Sequence, residues 1–245
     1  MKNYVALTGP AAAARYGLDG FRDREWCPRW CAPASTRAVA GVIRTRAWEE
    51  PVVIGELRVA ALSVVLRHLD GIGTLGHLFE EDRVELAVEH ALRDGAVAIE
   101  QLRVGGGAAP GDMLLRRVLA RRPPGEPPTG SYAETRAVQR MRSIGIVPWR
   151  QVPVLGPRRN RADFMLPYRP SKRRLLPPRP EVFLPPCGVL VEIDSREYHE
   201  ARFEEDHARE TNYDELGFVW RSFTPNQIEH DWARVARVLQ RGLAR

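Results

Sequence analysis

Val189-Leu190-Val191-Glu192-Ile193-Asp194-Ser195 is the stretch on which the second half of the chain turns. Successive side chains of an extended chain alternate faces, so Val189, Val191 and Ile193 share one surface while Leu190, Glu192 and Asp194 share the other. Two carboxylates on one face at ~4 Å repel by about 4 kcal/mol at an effective dielectric of about 20. Such a pair shifts a pKa or recruits a cation. Ligand sets made of oxygen alone favour magnesium, manganese or calcium. A strand edge with both acids in solvent is the competing reading of the same pattern.

Upstream, Arg150-Gln151-Val152-Pro153-Val154 and Ala162-Asp163-Phe164-Met165-Leu166 predict two short strands, with Asp163 at a strand start. Ser131-Tyr132-Ala133-Glu134 opens a helical pattern that runs to about Ile144 and stops at Gly145. Glu134 has two readings. Ser-x-x-Glu is a capping box, in which the glutamate reaches back to the backbone at the cap. Ala137, Val138 and Met141 also put Glu134 on the buried stripe of that helix, where a carboxylate needs a partner. A cation shared with Asp163, Glu192 and Asp194 would supply one, and the two readings are compatible.

Downstream, Glu197 to Leu216 predicts a helix ended by Gly217, and Phe218 to Phe223 a strand. Thr224-Pro225-Asn226-Gln227 then starts one last helix, with Ile228, Trp232, Val235, Leu239 and Leu243 as its apolar stripe. The order from residue 131 is helix, three strands, helix, strand, helix.

These residues carry a family resemblance. From Ser131 to the C-terminus the chain resembles the restriction-endonuclease-like superfamily, in the small branch similar to the very-short-patch mismatch-repair endonucleases. The matching elements are Glu134, Arg150-Gln151, Asp163-Phe164, Leu190-Val191-Glu192-Ile193-Asp194, Tyr198-His199, Asp206 with Arg209, and Leu216-Gly217-Phe218 with Arg221 and Thr224. The resemblance implies an α/β fold whose C-terminal mixed sheet is flanked by helices. It further implies a metal-dependent endonuclease that hydrolyses DNA phosphodiester bonds in repair or mobile-element defence. Asp163 and Glu192 would be the main ligands of Mg²⁺ or Mn²⁺, Asp194 a ligand or water-orienting group, and Glu134 a group bridged through water. The superfamily's usual signature is an Asp followed by Glu-x-Lys, and here Asp194 stands in the lysine position. Gln151, His199 and Arg209 are the candidates for the missing role. His199 would serve as a proton shuttle, or it is a surface histidine at a helix start.

Charge points the same way. From Arg158 to Arg179 eight basic residues face one acid, Asp163, a local balance of +7 in a chain whose net charge is +6. The rest is about neutral. Arg158, Arg159, Arg161, Lys172, Arg173 and Arg174, with Arg209, are therefore the candidate nucleic-acid contacts, since phosphate contacts supply most non-specific affinity. A Pro-rich loop in an arginine-biased sequence is the alternative. DNA is the expected partner. Double-strand cutting would need a homodimer, two successive nicks or a separate DNA-targeting partner. The alternative to an enzyme is an inactive nuclease-fold regulator or antitoxin-like protein that only binds DNA.

Residues 1–122 form an α/β N-terminal module of unknown role, followed by a Pro-rich linker over 123–130 and the endonuclease-like domain over 131–245. Helices are expected at Pro10–Tyr16, Ala61–Leu69, Glu80–Arg93 and Asp112–Arg121, and strands at Val39–Thr45 and Val52–Val59. This half resembles the region after the winged helix of AbiEi-type antitoxin and regulator proteins, through Thr8-Gly9-Pro10-Ala11-Ala12-Ala13 and Gly17-Leu18. A chain starting at Met1 would lack the winged helix itself. Cys27, Cys31 and Cys187 offer neither a zinc pattern nor a disulfide framework and suit a reducing cytosol. His68, His77 and His90 are read as packing or surface residues. No run approaches the ~20 apolar residues of a membrane span, so a cytoplasmic protein is expected.

Overall fold

The computed structural model describes residues 5–22, 24–46, 48–70, 79–103, 110–123, 125–154, 160–168, 188–194, 211–215 and 217–244. They form two compact units, Met1–Arg122 and Pro123–Arg245. Each is mixed α/β with its own sheet. Among the described residues no helix is long and apolar enough to cross a membrane.

In the first unit the elements are β1 (Ala6–Thr8), α1 (Gly9–Arg15), β2 (Arg29–Pro33), β3 (Val42–Thr45), β4 (Val52–Ile54) and β5 (Leu57–Val59). Helices α2 (Leu62–Leu66), α3 (Glu80–Arg93), α4 (Ile99–Arg103) and α5 (Pro110–Ala120) follow. The strand order is β3-β2-β1-β5-β4. Phe21, Leu66, Leu69, Val88, Leu102 and Leu115 anchor the core. Helix α3 has the expected bounds because its ends obey the helix dipole: Glu80, Glu81 and Asp82 open it and His90 and Arg93 close it. The single strand expected over Val52–Val59 is instead a hairpin that turns at Gly55, whose φ of +62° lies in the left-handed region.

In the second unit α6 (Tyr132–Ser143) precedes β6 (Trp149–Val154), β7 (Asn160–Pro167), β8 (Gly188–Ile193) and β9 (Val219–Phe223). Helices α7 (Pro225–His230) and α8 (Trp232–Leu243) end it. Before β9, residues 211–215 are helical; the rest of the helix expected over Glu197–Leu216 lies largely outside the described residues. The sheet runs β6-β7-β8-β9, with antiparallel pairs up to β8 and a parallel β8–β9 pair.

Alternation along β8 sorts the core into two layers. Val189, Val191 and Ile193 pack with Phe164 and Leu166 against Ala137, Val138 and Met141 of α6 and Val235 and Leu239 of α8. Leu190 instead packs with Met165, Val152, Val154, Tyr213 and Phe218. The last helix is two helices rather than one. Thr224 and Gln227 close a capping box at the start of α7, and the chain leaves helical geometry at Asp231 (φ −126°, ψ 34°) before α8 begins.

The Pro-rich stretch expected as a linker is packed onto the second unit. Glu126 pairs with the buried Arg150 at 3.3 Å, Thr129 Oγ1 lies 2.6 Å from Thr135 Oγ1, and the Gly130 N–H reaches Glu134.

Candidate functional site

Strand pairing brings two of the expected acids together. In β7 and β8, Leu166 pairs with Val189, Met165 with Leu190 and Phe164 with Val191. One step further in that register, Asp163 stands opposite Glu192, and directly opposed residues have Cβ atoms about 4.5–5.5 Å apart. The N–H of Ile193 donates to Asp163 Oδ2 at 2.8 Å. Glu192, half-buried, accepts at Oε1 from the hydroxyl of Tyr213 at 2.9 Å. Tyr213 is fully buried in the apolar layer beside Leu190, where a phenol hydroxyl needs a partner. Asp194 lies one residue past the end of β8 and is exposed, with its N–H donating to the carbonyl of Phe223 at 2.9 Å.

Glu134 is buried, and both readings of its motif find a contact. Ser131 Oγ accepts from the Glu134 N–H at 3.1 Å, the N-cap half of the expected box. The carboxylate returns not to Ser131 but one residue earlier, with Oε2 accepting from the Gly130 N–H at 2.7 Å. The same oxygen accepts from Gln151 Nε2 at 2.6 Å. A Cβ at position 130 would lie 2.8 Å from Glu134 Oε1, so the absence of a side chain there lets the carboxylate close in.

Gln151 connects the helix acid to the strand acids. Arg150 pairs with Phe164 and Val152 with Ala162, which sets Gln151 opposite Asp163. Among the described residues Gln151 is the one non-glycine in the left-handed region, at φ +50°. That conformation is costly for a side chain with a Cβ and is held by its surroundings, here in part by the bond to Glu134. The opposite strand registers the distortion too. Ala162 and Met165, three residues apart, pack in the same layer while Phe164 packs in the other, so β7 changes face near Asp163.

The other candidates are scattered. Arg161 is exposed on β7, opposite Pro153. Arg158, Arg159, Lys172, Arg173, Arg174, Arg209 and His199 lie outside the described residues. Two further arginines are structural: Arg136, buried on α6, grips Glu229 with Nε to Oε1 at 2.7 Å and Nη2 to Oε2 at 3.2 Å, while Arg150 holds Glu126. Tyr213 was not singled out by the sequence, because nothing in a helical pattern says that one hydroxyl reaches back 21 residues to Glu192.

Among the described residues no group of three or more His, Cys, Asp or Glu side chains gathers as a cation cage. The two-carboxylate set of Asp163 and Glu192 nonetheless fits a hard cation. Magnesium is held by one or two carboxylates, with waters and substrate phosphate completing its shell. Each of these carboxylates is oriented by a hydrogen bond from the protein, the arrangement that steadies metal-ligating acids.

Among the described residues, the cysteines and histidines of the first unit offer no comparable chemistry. Burial pushes the Cys31 thiol up to about 11, against a smaller opposing hydrogen bond from Thr8, so it stays protonated at neutral pH. Burial likewise lowers His68 to about 4, and its Nδ1 lies 2.8 Å from Thr8 Oγ1. His90 sits between Asp19 and Asp94 at 3.1 and 3.2 Å, and His77 lies outside the described residues. Compared with protein-family models, with curated proteins and with solved structures, the chain matches none.

Proposed function

We propose that the second unit is a restriction-endonuclease-like domain that hydrolyses DNA phosphodiester bonds with Mg²⁺ or Mn²⁺. One observation carries this reading: the β7–β8 register, carried one step past the Phe164–Val191 pair, sets Asp163 opposite Glu192, with Asp163 accepting from the Ile193 N–H and Glu192 from the Tyr213 hydroxyl. The order of helix, three strands and a parallel fourth strand supports the same reading. The work is taken to proceed in the cytoplasm.

A cation bound here would neutralise charge on the scissile phosphate and lower the pKa of a water. Asp163 and Glu192 would hold it, and the Ile193 N–H keeps the Asp163 carboxylate in place. Gln151, opposite Asp163 and bonded to Glu134, extends the polar surface and orients the attacking water. Asp194, in solvent just past β8, accepts a proton from that water or orients it; unlike a lysine it adds no positive charge. Arg161 and the basic run after it supply phosphate contacts. One such site cuts one strand, so a double-strand break requires a second copy or a second event.

Nicking of supercoiled plasmid by the full chain tests the proposal. Cleavage is expected with Mg²⁺ or Mn²⁺, and its loss in Asp163→Asn and Glu192→Gln, with circular dichroism unchanged. A wild-type chain that cuts neither duplex nor single-stranded DNA with either metal sinks it.

The second reading is a DNA-binding regulator on an inactive nuclease fold, favoured by the exposed acid Asp194 where a charge-stabilising lysine would stand. It predicts metal-independent DNA binding that weakens, with a shallower salt dependence, in Arg173→Ala and Arg174→Ala.

A further inference from the structure

The hydroxyl of Tyr213 donates to Glu192 Oε1 at 2.9 Å. Its ring is locked among Val152, Val154, Met165, Leu190 and Phe218, with the Trp220 ring tilted against it at a centroid distance of 6.4 Å. A ring so confined has little rotational freedom, so the position of its hydroxyl oxygen is set by packing rather than by Glu192, and only the O–H hydrogen turns towards the acceptor. The carboxylate is the partner that must adapt. Glu192, with three rotatable side-chain bonds, loses that freedom to a rigid donor contributed by the helical segment 211–215.

From this geometry we infer that Tyr213 is a positioning residue for cation binding, fixing the Glu192 carboxylate so that it meets a divalent ion together with Asp163. The inference rests on the metal-dependent reading above. Tyr213 touches neither the ion nor substrate; it acts through Glu192. The helical segment before β9 thereby joins the site, and a change that shifts Tyr213 alters metal affinity without touching a ligand. Removing a hydrogen-bond partner of a metal ligand typically weakens affinity by about 10- to 100-fold.

Titration of the full chain with Mn²⁺, followed by electron paramagnetic resonance of the free ion, tests this directly. Tyr213→Phe removes one oxygen and leaves the ring in place. It is expected to weaken Mn²⁺ binding by about 10-fold or more, with the metal-free circular dichroism spectrum of the folded chain retained. In the double variant with Glu192→Gln, the Tyr213→Phe change should add nothing further. Met165→Leu, which disturbs the same layer and keeps the hydroxyl, should leave affinity as in the wild type. If Tyr213→Phe binds Mn²⁺ like the wild type, the inference is wrong while the nuclease reading stands. If the wild type takes up no Mn²⁺, the reading and the inference fall together. A measurement without variants decides the case should Tyr213→Phe fold poorly. In the wild-type chain labelled at tyrosine, the Tyr213 ζ-carbon signal must move with Mg²⁺ at the same midpoint, and an unmoved signal overturns the inference.

Discussion

The two units bury acids in different company. In the first, Glu89 on α3 is fully buried and paired with Arg122, and Asp112 meets the buried Arg67 at 3.0 Å while that arginine also donates to the carbonyls of Gln101 and Leu102. In the second, Glu134, Asp163 and Glu192 accept hydrogen bonds from Gln151, Ile193 N–H and Tyr213. Glu229 and Glu126 pair with arginines there as well. An arginine cancels the charge it binds, whereas an amide or a phenol orients a carboxylate and leaves its charge in place. An arginine partner suits a scaffold, and a carboxylate oriented by an amide or a phenol is the kind that the proposed cation would require.

Breaking a pair in the first unit is expected to have the largest effect. Arg122→Ala strands Glu89 in the core and should cost about 3–5 kcal/mol, as expected for one half of a buried ion pair. Hydrogen exchange over α3 and α5 reports this for that unit alone, and protection unchanged from the wild type would break the contrast.

His68 gives the next effect, through pH. Its value of about 4 lies below the ordinary 6.5, so the unfolded chain takes up the proton first. The stability it contributes is complete above about pH 6.5 and is lost as the pH falls towards 4, on the order of 3 kcal/mol over that window. His68→Gln should flatten this part of the acid limb in urea denaturation. Parallel acid limbs in the two proteins would show that the imidazole is not the group responsible.

Gly130→Ala is a smaller and more local change. The new methyl meets the end of a flexible side chain, so Glu134 should swing away at a cost of about 1 kcal/mol, the worth of a hydrogen bond. Weakened Mn²⁺ binding or cleavage would place Glu134 in the working site, and unaltered values would confine it to capping α6. The smallest change in stability is expected for Asp163→Asn, which keeps an acceptor for the Ile193 N–H. Its melting should stay within about 1 kcal/mol of the wild type, while metal uptake disappears. A large loss of stability would make Asp163 a structural cap after all.

Legibility in the sequence followed the length of the pattern. Helix α3 is long, periodic and charged at its ends, and its bounds agree with those expected from composition alone. The alternation of Val189 to Asp194 placed Leu190 and Glu192 on the face opposite the valines, as the two core layers show. Strands β1 and β2 escaped notice because three residues at Ala6–Thr8 carry no periodicity, and Arg29–Pro33, bounded by Pro28 and ending in Pro33, shows no clear alternation. They are strands because each has a neighbour, a fact of tertiary pairing. The left-handed turn at Gln151 was invisible for a similar reason: glutamine gives no local signal of positive φ, and contacts from Glu134 hold it there. In the candidate site, residue types were legible and their hydrogen-bond donors were not.

Asp163 and Glu192 lie far apart along the chain yet face each other one step past the last paired residues of β7 and β8. Their separation is thus dictated by how closely two strands can approach, and the length of the arginine-rich stretch between them has no bearing on it. That intervening sequence is free to grow, shrink or change its charge to suit a different polyanion while the carboxylates keep their spacing. On the proposed nuclease reading, substrate preference and chemistry are written into different parts of the sequence, so either can be altered without rewriting the other.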